Sequence, residues 1–500
     1  MLMRTRQLSL TEQLVARFSE RIKSRLIAPG ARLPSVRECA KQQSVSPHTV
    51  VAAYDQLVAA GLVEARKQRG FYVRDVHFLK PNEQLAGKES AQSAIKSIVN
   101  VVYSAALHER PRIDATALIR GMFARGASKA VGAQSAAAVL QPGMGVLPPE
   151  WMENDFLSPA VRKVSSGRGL TETSLRYGEP LGDASLREAL SVKLRDIALD
   201  APASRIITTL GATQALDIVS RTLLKAGDYV MVEEPGWAVE FARLDALGMR
   251  ILPVPRTAEG PDLNVMAKYC EEHKPKLYVS VSVLHNPTGA CLSPSSAHRI
   301  LQLAALHDFH VVEDDTYCHI APPNDTRFAT RMAALDGLQR TIYISGFAKI
   351  LAPNWRIGYM ATPEHLTERL LDTKLLTSLT TPALLERALA HCITEGHLRK
   401  HSARVRTRLD AARIRAVRLA LQSGCTFAAE PAGLFGWVET GIDTEPLAQR
   451  MLDDGILLAP GALFNAARQP STLMRINFAT TQEAGFWKKF VAAVKSQAPA

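Results

Sequence analysis

The 500-residue sequence has few cysteines and no long apolar segment. Its six cysteines are scattered, and no two of them form a Cys-x-x-Cys pair. This pattern predicts neither a disulfide framework nor a zinc site, and it is typical of proteins in a reducing cytosol. No apolar run approaches the roughly 18 residues that a membrane-spanning helix needs, and the first ten residues contain no apolar signal-peptide core. We therefore expect a cytoplasmic protein.

The net charge of +12 is concentrated near the start of the sequence. Residues 1–75 contain thirteen Lys or Arg against six Asp or Glu, which gives this segment a net charge of +7. A short basic segment suits a polyanion such as DNA. The alternative is a basic domain whose charge serves solubility alone. The length of the chain predicts two or three domains rather than one.

Three helices and a short hairpin are predicted in this basic segment. Apolar residues recur at helical spacing from Leu14 to Leu26, which predicts the first helix. Ser35 and Glu38 form a capping box at the start of a second helix. Ser46 followed by Pro47 is typical of the start of a third helix. A basic hairpin is predicted to follow the third helix.

This order of elements places the third helix in the major groove of DNA, with the hairpin beside it. Polar and basic side chains at the helix starts and in the hairpin are the expected DNA contacts. The candidates are Arg37, Ser46, His48, Thr49, Arg66, Lys67 and Arg69. The alternative for His48 and Thr49 is a solvent-exposed helix start that does not touch DNA. Tyr54 is expected in the core.

The spacing of these residues closely resembles that of the GntR-family winged helix over residues 11–75. The matching stretches are Pro29-Gly30-x-Arg32-Leu33-Pro34-Ser35-x-Arg37, Thr49-Val50-x-x-Ala53-Tyr54-x-x-Leu57 and Gly61-Leu62-Val63. The resemblance implies double-stranded DNA as a partner. Pro47 stands where many relatives carry a basic residue, so one phosphate contact is expected to be missing.

From residue 205 onward, strands that are apolar throughout alternate with helical stretches. This pattern predicts an α/β fold whose mostly parallel sheet is covered on both faces. Ligands of such sheets bind at the carboxyl ends of the strands. Ala212 and Thr213 follow one strand and open a helix whose N–H groups can bind a phosphate. Trp237 follows another strand and offers a ring for stacking, although a core tryptophan is the alternative.

Further polar residues follow the later strands. Asn286, in His285-Asn286-Pro287-Thr288-Gly289, can donate to a phenolate oxygen, and Tyr317 can share that oxygen. Asp314 can keep a pyridine nitrogen protonated, which makes the ring an electron sink. Lys349 and Arg356 suit an aldehyde cofactor with a phosphate. Both lie in the stretch Gly346-Phe347-Ala348-Lys349-Ile350-Leu351-Ala352-Pro353-Asn354-Trp355-Arg356-Ile357-Gly358. The amine forms the Schiff base, and the guanidinium binds the phosphate.

Together these motifs resemble the fold-type I pyridoxal phosphate enzymes of the aspartate aminotransferase group, over roughly residues 145–500. The resemblance implies a smaller C-terminal α+β subdomain at about 390–500 and pyridoxal 5'-phosphate as the cofactor. The implied cofactor residues are Lys349 for the Schiff base, Asp314 for the ring nitrogen, Trp237 for stacking, Asn286 and Tyr317 for the ring hydroxyl, and Ala212, Thr213 and Arg356 for the phosphate.

Two further residues match the group's motifs. Tyr177 matches the tyrosine that reaches a neighbouring subunit's phosphate, which implies a homodimer. Arg475 resembles the arginine that binds a substrate carboxylate, with a surface arginine at a strand end as the alternative. Gly346 and Ala348 replace serines usual in the group, so cofactor affinity is expected to be lower. The basic helix at residues 399–418 is either a solvated surface or an aid to DNA binding.

A winged helix at 1–75, a linker with some helix at 76–145 and an aminotransferase-like domain at 146–500 resemble the MocR subfamily of GntR regulators. We expect the linker to carry no chemistry. The resemblance implies a regulator in which an amino-compound effector displaces Lys349 from its aldimine and alters DNA binding. One alternative is a catalytically active aminotransferase with an accessory DNA-binding head. Another is a domain that has lost its cofactor and merely dimerises.

Overall fold

The computed structural model describes residues 9–23, 27, 30–66, 70–74, 118–119, 140–323 and 325–497. The chain divides into two compact units, one of residues 1–141 with 445–460 and one of residues 142–444 with 461–500. Among the described residues, none of the helices combines the length and the hydropathy needed to cross a bilayer. Most of the linker at residues 76–145, including the helix expected in it, falls outside the described residues.

The N-terminal part of the first unit is a three-helix domain with a two-stranded hairpin. Its elements are α1 (Leu10–Lys23), α2 (Val36–Gln43), α3 (Pro47–Ala59), β1 (Val63–Arg66) and β2 (Gly70–Val73). The predicted caps are confirmed, because the hydroxyl of Ser35 accepts from the amide of Glu38 and that of Ser46 from the amide of Thr49. The ring of Tyr54 is fully buried among α1, α3 and the hairpin, as expected for a core residue.

The remaining elements alternate between strands and helices. The strands are β3 (Ile206–Thr209), β4 (Tyr229–Glu234), β5 (Arg250–Thr257), β6 (Gly260–Pro261), β7 (Leu277–Ser280), β8 (His310–Asp314), β9 (Thr341–Gly346), β10 (Gly358–Ala361), β11 (Thr426–Phe427), β12 (Phe435–Glu439), β13 (Ala459–Pro460) and β14 (Leu473–Asn477). The helices are α4 (Pro149–Met152), α5 (Leu157–Ser165), α6 (Gly169–Ser174), α7 (Ala184–Leu194), α8 (Ala212–Leu223), α9 (Ala238–Ala246), α10 (Leu263–His273), α11 (Pro294–His307), α12 (Met332–Asp336), α13 (Glu364–Ser378), α14 (Ala383–Thr394), α15 (His397–Gln422), α16 (Thr444–Asp453) and α17 (Ala484–Lys495).

The large sheet of the second unit has the strand order β3-β10-β9-β8-β7-β4-β5-β6. Strands β9, β8, β7, β4 and β5 are parallel neighbours, which confirms the mostly parallel sheet. Strand β10 is antiparallel to both of its neighbours, β3 and β9. Strand β3 therefore points the same way as the parallel strands. The carboxyl ends of β3, β4, β5, β7, β8 and β9 therefore lie at one edge, where ligands of such sheets bind.

The sheet is covered on both faces, and strand β9 shows how. All six of its residues are buried. Ile342 and Ile344 pack with Leu216 and Val219 of α8 on one face. Tyr343 points to the opposite face and packs in a second apolar cluster. Side chains of a strand alternate between the two faces, so a strand buried on both sides is mostly apolar.

A smaller antiparallel sheet carries the C-terminal part of the second unit. Strands β11, β12 and β14 pair in that order, with Trp437 opposite Arg475 and Phe435 opposite Asn477. Trp487 of α17 is fully buried, and its indole N–H donates to the carbonyl of Thr481 at 2.9 Å. This arrangement matches the expected C-terminal α+β subdomain and holds the side chain of Arg475 on a paired strand.

The basic helix predicted at residues 399–418 forms part of α15. Its apolar stripe, which includes Val405 and Leu409, is buried. Arg406 donates to the carbonyl of His319 at 3.1 Å, and Arg413 pairs with a neighbouring carboxylate of the same helix. Most of the other basic side chains of this stretch are exposed, which is the pattern of a solvated helix face.

Candidate cofactor and ligand site

A candidate phosphate-binding cup lies where β3 ends and α8 begins. Gly211 has a left-handed backbone with φ of 88°, and Ala212 opens the helix. The guanidinium of Arg356 donates to the carbonyl of Leu210 at 2.9 Å, directly beside this turn. A Cβ on Gly358 would lie 2.5 Å from the carbonyl carbon of Gly211, so only glycine permits this close approach. The structure therefore brings Arg356 to the N-terminus of α8.

The donors of this cup face solvent. Thr213 and Arg356 are exposed, and Ala212 is half-buried. The N-terminus of a helix carries unsatisfied N–H groups and a partial positive charge, which together with a guanidinium suit a phosphate. Ser345, the serine next to the expected position, does not contribute to the cup. Its hydroxyl is fully buried and donates to the carbonyl of Asp315 at 3.0 Å.

Lys349 lies three residues beyond β9, at the same edge of the sheet. Its amine is 2.6 Å from the carbonyl oxygen of Gly145, to which it donates. Burial and the positive charge of Arg475 lower the pKa of Lys349 to about 8. An amine with this pKa is partly neutral near physiological pH, and the neutral amine is the form that attacks a carbonyl.

An aromatic ring, that of Phe435, joins three of the predicted residues. The guanidinium carbon of Arg475 lies 4.5 Å from its centroid, and the centroid of Tyr317 lies 5.7 Å away at an angle of 86°. A Cβ built on Gly145, the residue bonded to Lys349, would lie 3.1 Å from the same ring. We call Gly145, Tyr317, Lys349, Phe435 and Arg475 the Phe435 cluster.

Arg475 is buried, with only 4% of its surface exposed, so the alternative of a surface arginine is wrong. Its Nη1 donates to the side-chain oxygen of Asn286 at 2.7 Å, and its Nη2 donates to the carbonyl of Gly143 at 2.5 Å. Its buried Nε finds no hydrogen-bond partner within the described part of the chain. Burial lowers the pKa of Arg475 to about 10. A buried guanidinium with a free N–H is suited to a carboxylate.

Trp237 and Asp314 line one open cavity at the carboxyl ends of β4 and β8. Other residues of its wall include Gly236, Val281 and His285. An oxygen of Asp314 accepts from the amide of Thr316 at 3.0 Å, and burial raises the pKa of Asp314 to about 6. A flat aromatic wall beside a carboxylate suits a planar ring with a basic nitrogen. The donor sets of the cup, the cavity and the cluster thus fit pyridoxal phosphate.

Sequence reasoning missed the polar support beneath Asn286. The preceding residue, His285, is buried, with Nδ1 at 2.9 Å from the hydroxyl of Thr288 and Nε2 at 3.4 Å from Glu233. Glu233 is also buried and pairs with Arg256. Burial holds the pKa of His285 well below its usual value, so its ring is neutral. A glutamate at the end of an apolar strand is the signal that points to this network.

The segment 142–147, which we call the strap, also belongs to the site. The carbonyl of Gly143 accepts from Arg475 and that of Gly145 from Lys349. Our expectation that residues 76–145 carry no part of the chemistry is therefore wrong for the strap. The pattern Pro142-Gly143-x-Gly145 marks a close backbone approach, but only the fold reveals the partners, more than 200 residues away along the chain.

The strap is anchored to β14 by a residue that sequence reasoning also missed. The side-chain amide of Asn477 donates to the carbonyls of Met144 at 2.8 Å and Val146 at 2.7 Å. Its backbone amide donates to the carbonyl of Pro142 at 2.8 Å. The strap is thus held by Asn477 as well as by the two cations.

Tyr177 does not join the site of its own chain, and 82% of its surface is exposed. It lies on the loop before α7, where a Cβ on Gly178 would lie 3.1 Å from the carbonyl of Thr381. The loop is also held by Lys374, whose amine donates to the carbonyl of Pro180 at 2.6 Å.

The predicted DNA contacts lie on the three-helix domain. Arg37, Ser46 and His48 are exposed, and Thr49 is half-buried. The hydroxyls of Ser46 and Thr49 lie 2.8 Å apart, so part of their bonding capacity serves the helix start. The guanidinium of Arg66 lies 2.6 Å from a carboxylate oxygen of Glu64 and stacks 4.4 Å from the ring centroid of Tyr72. Lys67 and Arg69 lie outside the described residues.

Two family models match the chain. Residues 148–486 match the family "aminotransferase class I and II", and residues 10–73 match the family "bacterial regulatory proteins, gntR family". An HTH-type transcriptional regulator of Bacillus subtilis, YisV, is 26% identical over 91% of this chain and 89% of its own length. Aromatic-amino-acid aminotransferase 1 of Thermococcus litoralis is 28% identical over 62% of this chain and 76% of its own length.

Solved aminotransferases share the fold. A multiple substrate aminotransferase from Thermococcus profundus superposes with a TM-score of 0.65, at 25% identity, over 74% of this chain and 94% of its own. A kynurenine aminotransferase from Pyrococcus horikoshii superposes with a TM-score of 0.67, at 24% identity, over 82% of this chain and all of its own. The likeness to this second structure concerns the fold.

The lowered pKa of Lys349 predicts an unusual pH dependence. When pyridoxal phosphate is added to cofactor-free protein, the rate of capture by Lys349 should rise with pH and level off above a midpoint near 8. The reason is that only the neutral amine attacks the aldehyde. Stopped-flow absorbance measures this rate. The variant Arg475→Gln should move the midpoint upward, because it removes a positive charge that disfavours the ammonium form.

The exposed Arg399→Gln serves as the control and should leave the midpoint in place. A midpoint near the ordinary lysine value of 10.5 in every variant would contradict this account of the amine.

Proposed function

Because the chain belongs to the aminotransferase class I and II family and carries a GntR-family domain, as MocR-type regulators do, we propose that it is a transcription regulator controlled by an amino compound. The effector binds at Lys349 and Arg475, and its binding changes the affinity of the winged-helix domain for DNA. The observation that carries the proposal is the pairing of a reactive amine with a buried guanidinium in a chain that also has a DNA-binding fold.

Pyridoxal phosphate, when bound, supplies an aldehyde carbon with which amines condense. The chain's own residues provide the selectivity. Arg356 and the start of α8 suit the phosphate, and Asp314 suits the ring nitrogen. Arg475 suits a carboxylate on the effector, because a guanidinium binds a carboxylate through two parallel hydrogen bonds. The preferred effector is therefore an amine that also carries a carboxylate.

DNA binding rests on the exposed residues of the winged helix. Arg37 on α2 and His48 at the start of α3 face solvent, where a major groove would meet them. The hydroxyls of Ser46 and Thr49 cap α3, and they retain lone pairs and protons for a phosphate or a base edge. In the hairpin, Arg66 must exchange its contact with Glu64 for a phosphate. Lys67 and Arg69 add positive charge to the hairpin.

An effector can change DNA binding only if its affinity differs between two states of the protein. Lys349 is the residue whose contacts differ most directly with occupancy. Its amine donates to the carbonyl of Gly145 in this structure. Once the amine is engaged by an aldehyde, that hydrogen bond can no longer be made in the same form.

Lys349→Ala tests the proposal. The variant should bind DNA as tightly as the wild type but lose its response to the effector, because the reactive amine is absent. Affinity is measured by fluorescence anisotropy with a DNA fragment selected by the wild-type chain from a random pool. A panel of amino acids and amines is added to both proteins. Lys400→Ala, an exposed lysine on α15, is the matched control and should respond like the wild type.

A Lys349→Ala variant that responds fully would contradict a role for the amine in signalling. A variant that no longer binds DNA at all would show that Lys349 acts on the fold and would also contradict the proposal.

A second candidate function is catalysis by an aminotransferase with an accessory DNA-binding head. The observation that favours it is that Lys349, Asp314 and Arg475 are all present. A protein that only senses an effector has less need of all three. Sustained turnover with a paired amino acid and keto acid, at rates typical of enzymes (roughly 1 per second or more), would favour this function over the first.

We also propose that the protein is a homodimer through the face that carries Tyr177. Four large side chains near this loop are strongly exposed, and they are Leu175 at 76%, Tyr177 at 82%, Leu376 at 89% and Leu379 at 50%. The loop and the end of α13 are linked by the hydrogen bond from Lys374 to Pro180, so these side chains belong to one region. Exposed apolar patches of this kind mark interaction surfaces. A second copy would also give Tyr177 a site to contact.

The dimer proposal predicts that Leu376→Asp weakens self-association by on the order of tenfold or more, because a charge would be buried at the centre of the interface. Sedimentation velocity over a concentration series measures the dissociation constant. Leu306→Asp is the matched control, since Leu306 is also 76% exposed but lies on α11. Equal effects of both substitutions, or none from Leu376→Asp, would place the interface elsewhere.

A further inference from the structure

We propose that the strap, residues 142–147, senses the ligand by competing with it for Arg475. A bound carboxylate takes the guanidinium from the carbonyl of Gly143 and loosens the strap. This inference rests on the proposed function, because it names how occupancy of the same site is passed to the rest of the chain.

Among the described residues, both cations of the site donate to the strap and neither donates to a carboxylate. The carbonyl of Gly143 accepts from Nη2 of Arg475 at 2.5 Å, and the carbonyl of Gly145 accepts from the amine of Lys349 at 2.6 Å. Gly143 and Gly145 are only two residues apart. The carbonyl of Gly143 occupies Arg475, the expected donor for a carboxylate, and the carbonyl of Gly145 occupies Lys349, the amine expected to react with a carbonyl group. The strap thus accepts the hydrogen bonds that we expect a ligand to accept.

The geometry of Arg475 makes the competition direct. Nη1 is taken by Asn286, while the buried Nε lacks a partner among the described residues. A carboxylate that uses the free Nε pairs with Nη2 as well, because those two nitrogens share one edge of the guanidinium. Its oxygen then lies beside the carbonyl oxygen of Gly143 on the same nitrogen. Nη2 carries two N–H groups, but two acceptor oxygens held on one nitrogen repel each other, and the charged oxygen binds more strongly.

A second anchor limits how far the strap can move. Asn477 donates to the carbonyls of Met144 and Val146 through its side chain and to that of Pro142 through its backbone amide. These bonds do not involve the ligand-binding groups. The strap therefore has an anchor at Gly143 that a carboxylate removes, and an anchor at Gly145 that depends on Lys349. The anchors at Asn477 oppose its release.

The position of the strap in the chain gives its movement a consequence. The strap begins at Pro142, directly after residue 141, which is the last residue of the N-terminal segment of the first compact unit. The polypeptide that leads to the winged helix is thus covalently attached to the ligand-sensitive segment. Release of Gly143 therefore changes the tether of the DNA-binding unit.

Asn477→Ala tests the inference with a ligand that cannot react with an amine or an aldehyde. The probe is 4-methylpentanoate, and 4-methylpentanamide is the uncharged control with the same tail. Loss of the Asn477 side chain frees the strap, so Gly143 competes less for Arg475. The dissociation constant for the carboxylate, measured by calorimetry, should fall on the order of fivefold, the equivalent of about one hydrogen bond. Binding of the amide should not change.

Thr481→Ala is the matched control substitution. Thr481 is fully buried in the turn after β14, and its hydroxyl donates to the backbone carbonyl of Asn477 at 3.0 Å. Within the described part of the chain, Thr481 makes no hydrogen bond to the strap. This variant should leave the affinity for both probes unchanged. Thermal unfolding of both variants establishes that they fold.

Hydrogen exchange gives a second readout that does not depend on affinity. The backbone amide of residue 477 donates to Pro142, so strap release should accelerate its exchange. In the wild type, 4-methylpentanoate should increase exchange at this amide and 4-methylpentanamide should not. In Asn477→Ala, exchange should already be fast without a ligand.

If Asn477 has only a structural role, its loss should raise the dissociation constant for 4-methylpentanoate instead of lowering it. The reason is that its loss would disorder Arg475, which would then bind the carboxylate more weakly. Weaker or unchanged binding in Asn477→Ala would overturn the inference, and so would a failure of every protein to bind the carboxylate. The probe lacks an amine, so its binding is independent of Lys349. A failure of the proposed function would appear separately, as DNA binding that ignores all amino compounds.

Discussion

The rest of the site depends on one constraint, which is that the buried Arg475 and the half-buried Lys349 have no carboxylate bonded to either among the described residues. Each donates instead to a neutral carbonyl of the strap. Removing a cation from water costs several kcal/mol, and a neutral hydrogen bond offsets only part of this cost. The folded site therefore favours ligands that bring negative charge. The low pKa of Lys349 has the same origin, since burial and the charge of Arg475 both favour the neutral amine.

Residues at helix starts and strand ends were the easiest to predict from the sequence, because local rules determine them. The caps at Ser35 and Ser46 follow from side-chain chemistry within three residues. The positions of Asp314 and Lys349 follow from apolar strands, whose ends in a parallel sheet meet at one edge. The resemblance to known families then supplied the roles, and those roles remain proposals residue by residue.

The parts that could not be predicted depend on contacts between distant segments. The hydrogen bond from Arg475 to Gly143 joins residues that are 332 positions apart, and no local pattern in the strap predicts it. The Phe435 cluster likewise draws on separate strands and loops. Ser345 shows that position in the sequence does not determine where a side chain points. Its hydroxyl donates to the carbonyl of Asp315 and does not reach the phosphate cup. The reversed direction of β10 also follows from its pairing partners and not from its own apolar sequence.

A visible absorption spectrum of the purified protein with pyridoxal phosphate, recorded during titration with amino acids and their carboxylate-free amines, tests the central claim most directly. The account predicts a visible band that is absent in Lys349→Ala. It also predicts that an amino acid shifts this band at lower concentration than the matching amine, because Arg475 binds the carboxylate. A protein with no band, or a band that responds equally to both ligands, would contradict the account of Lys349 and Arg475 as one ligand-sensing site.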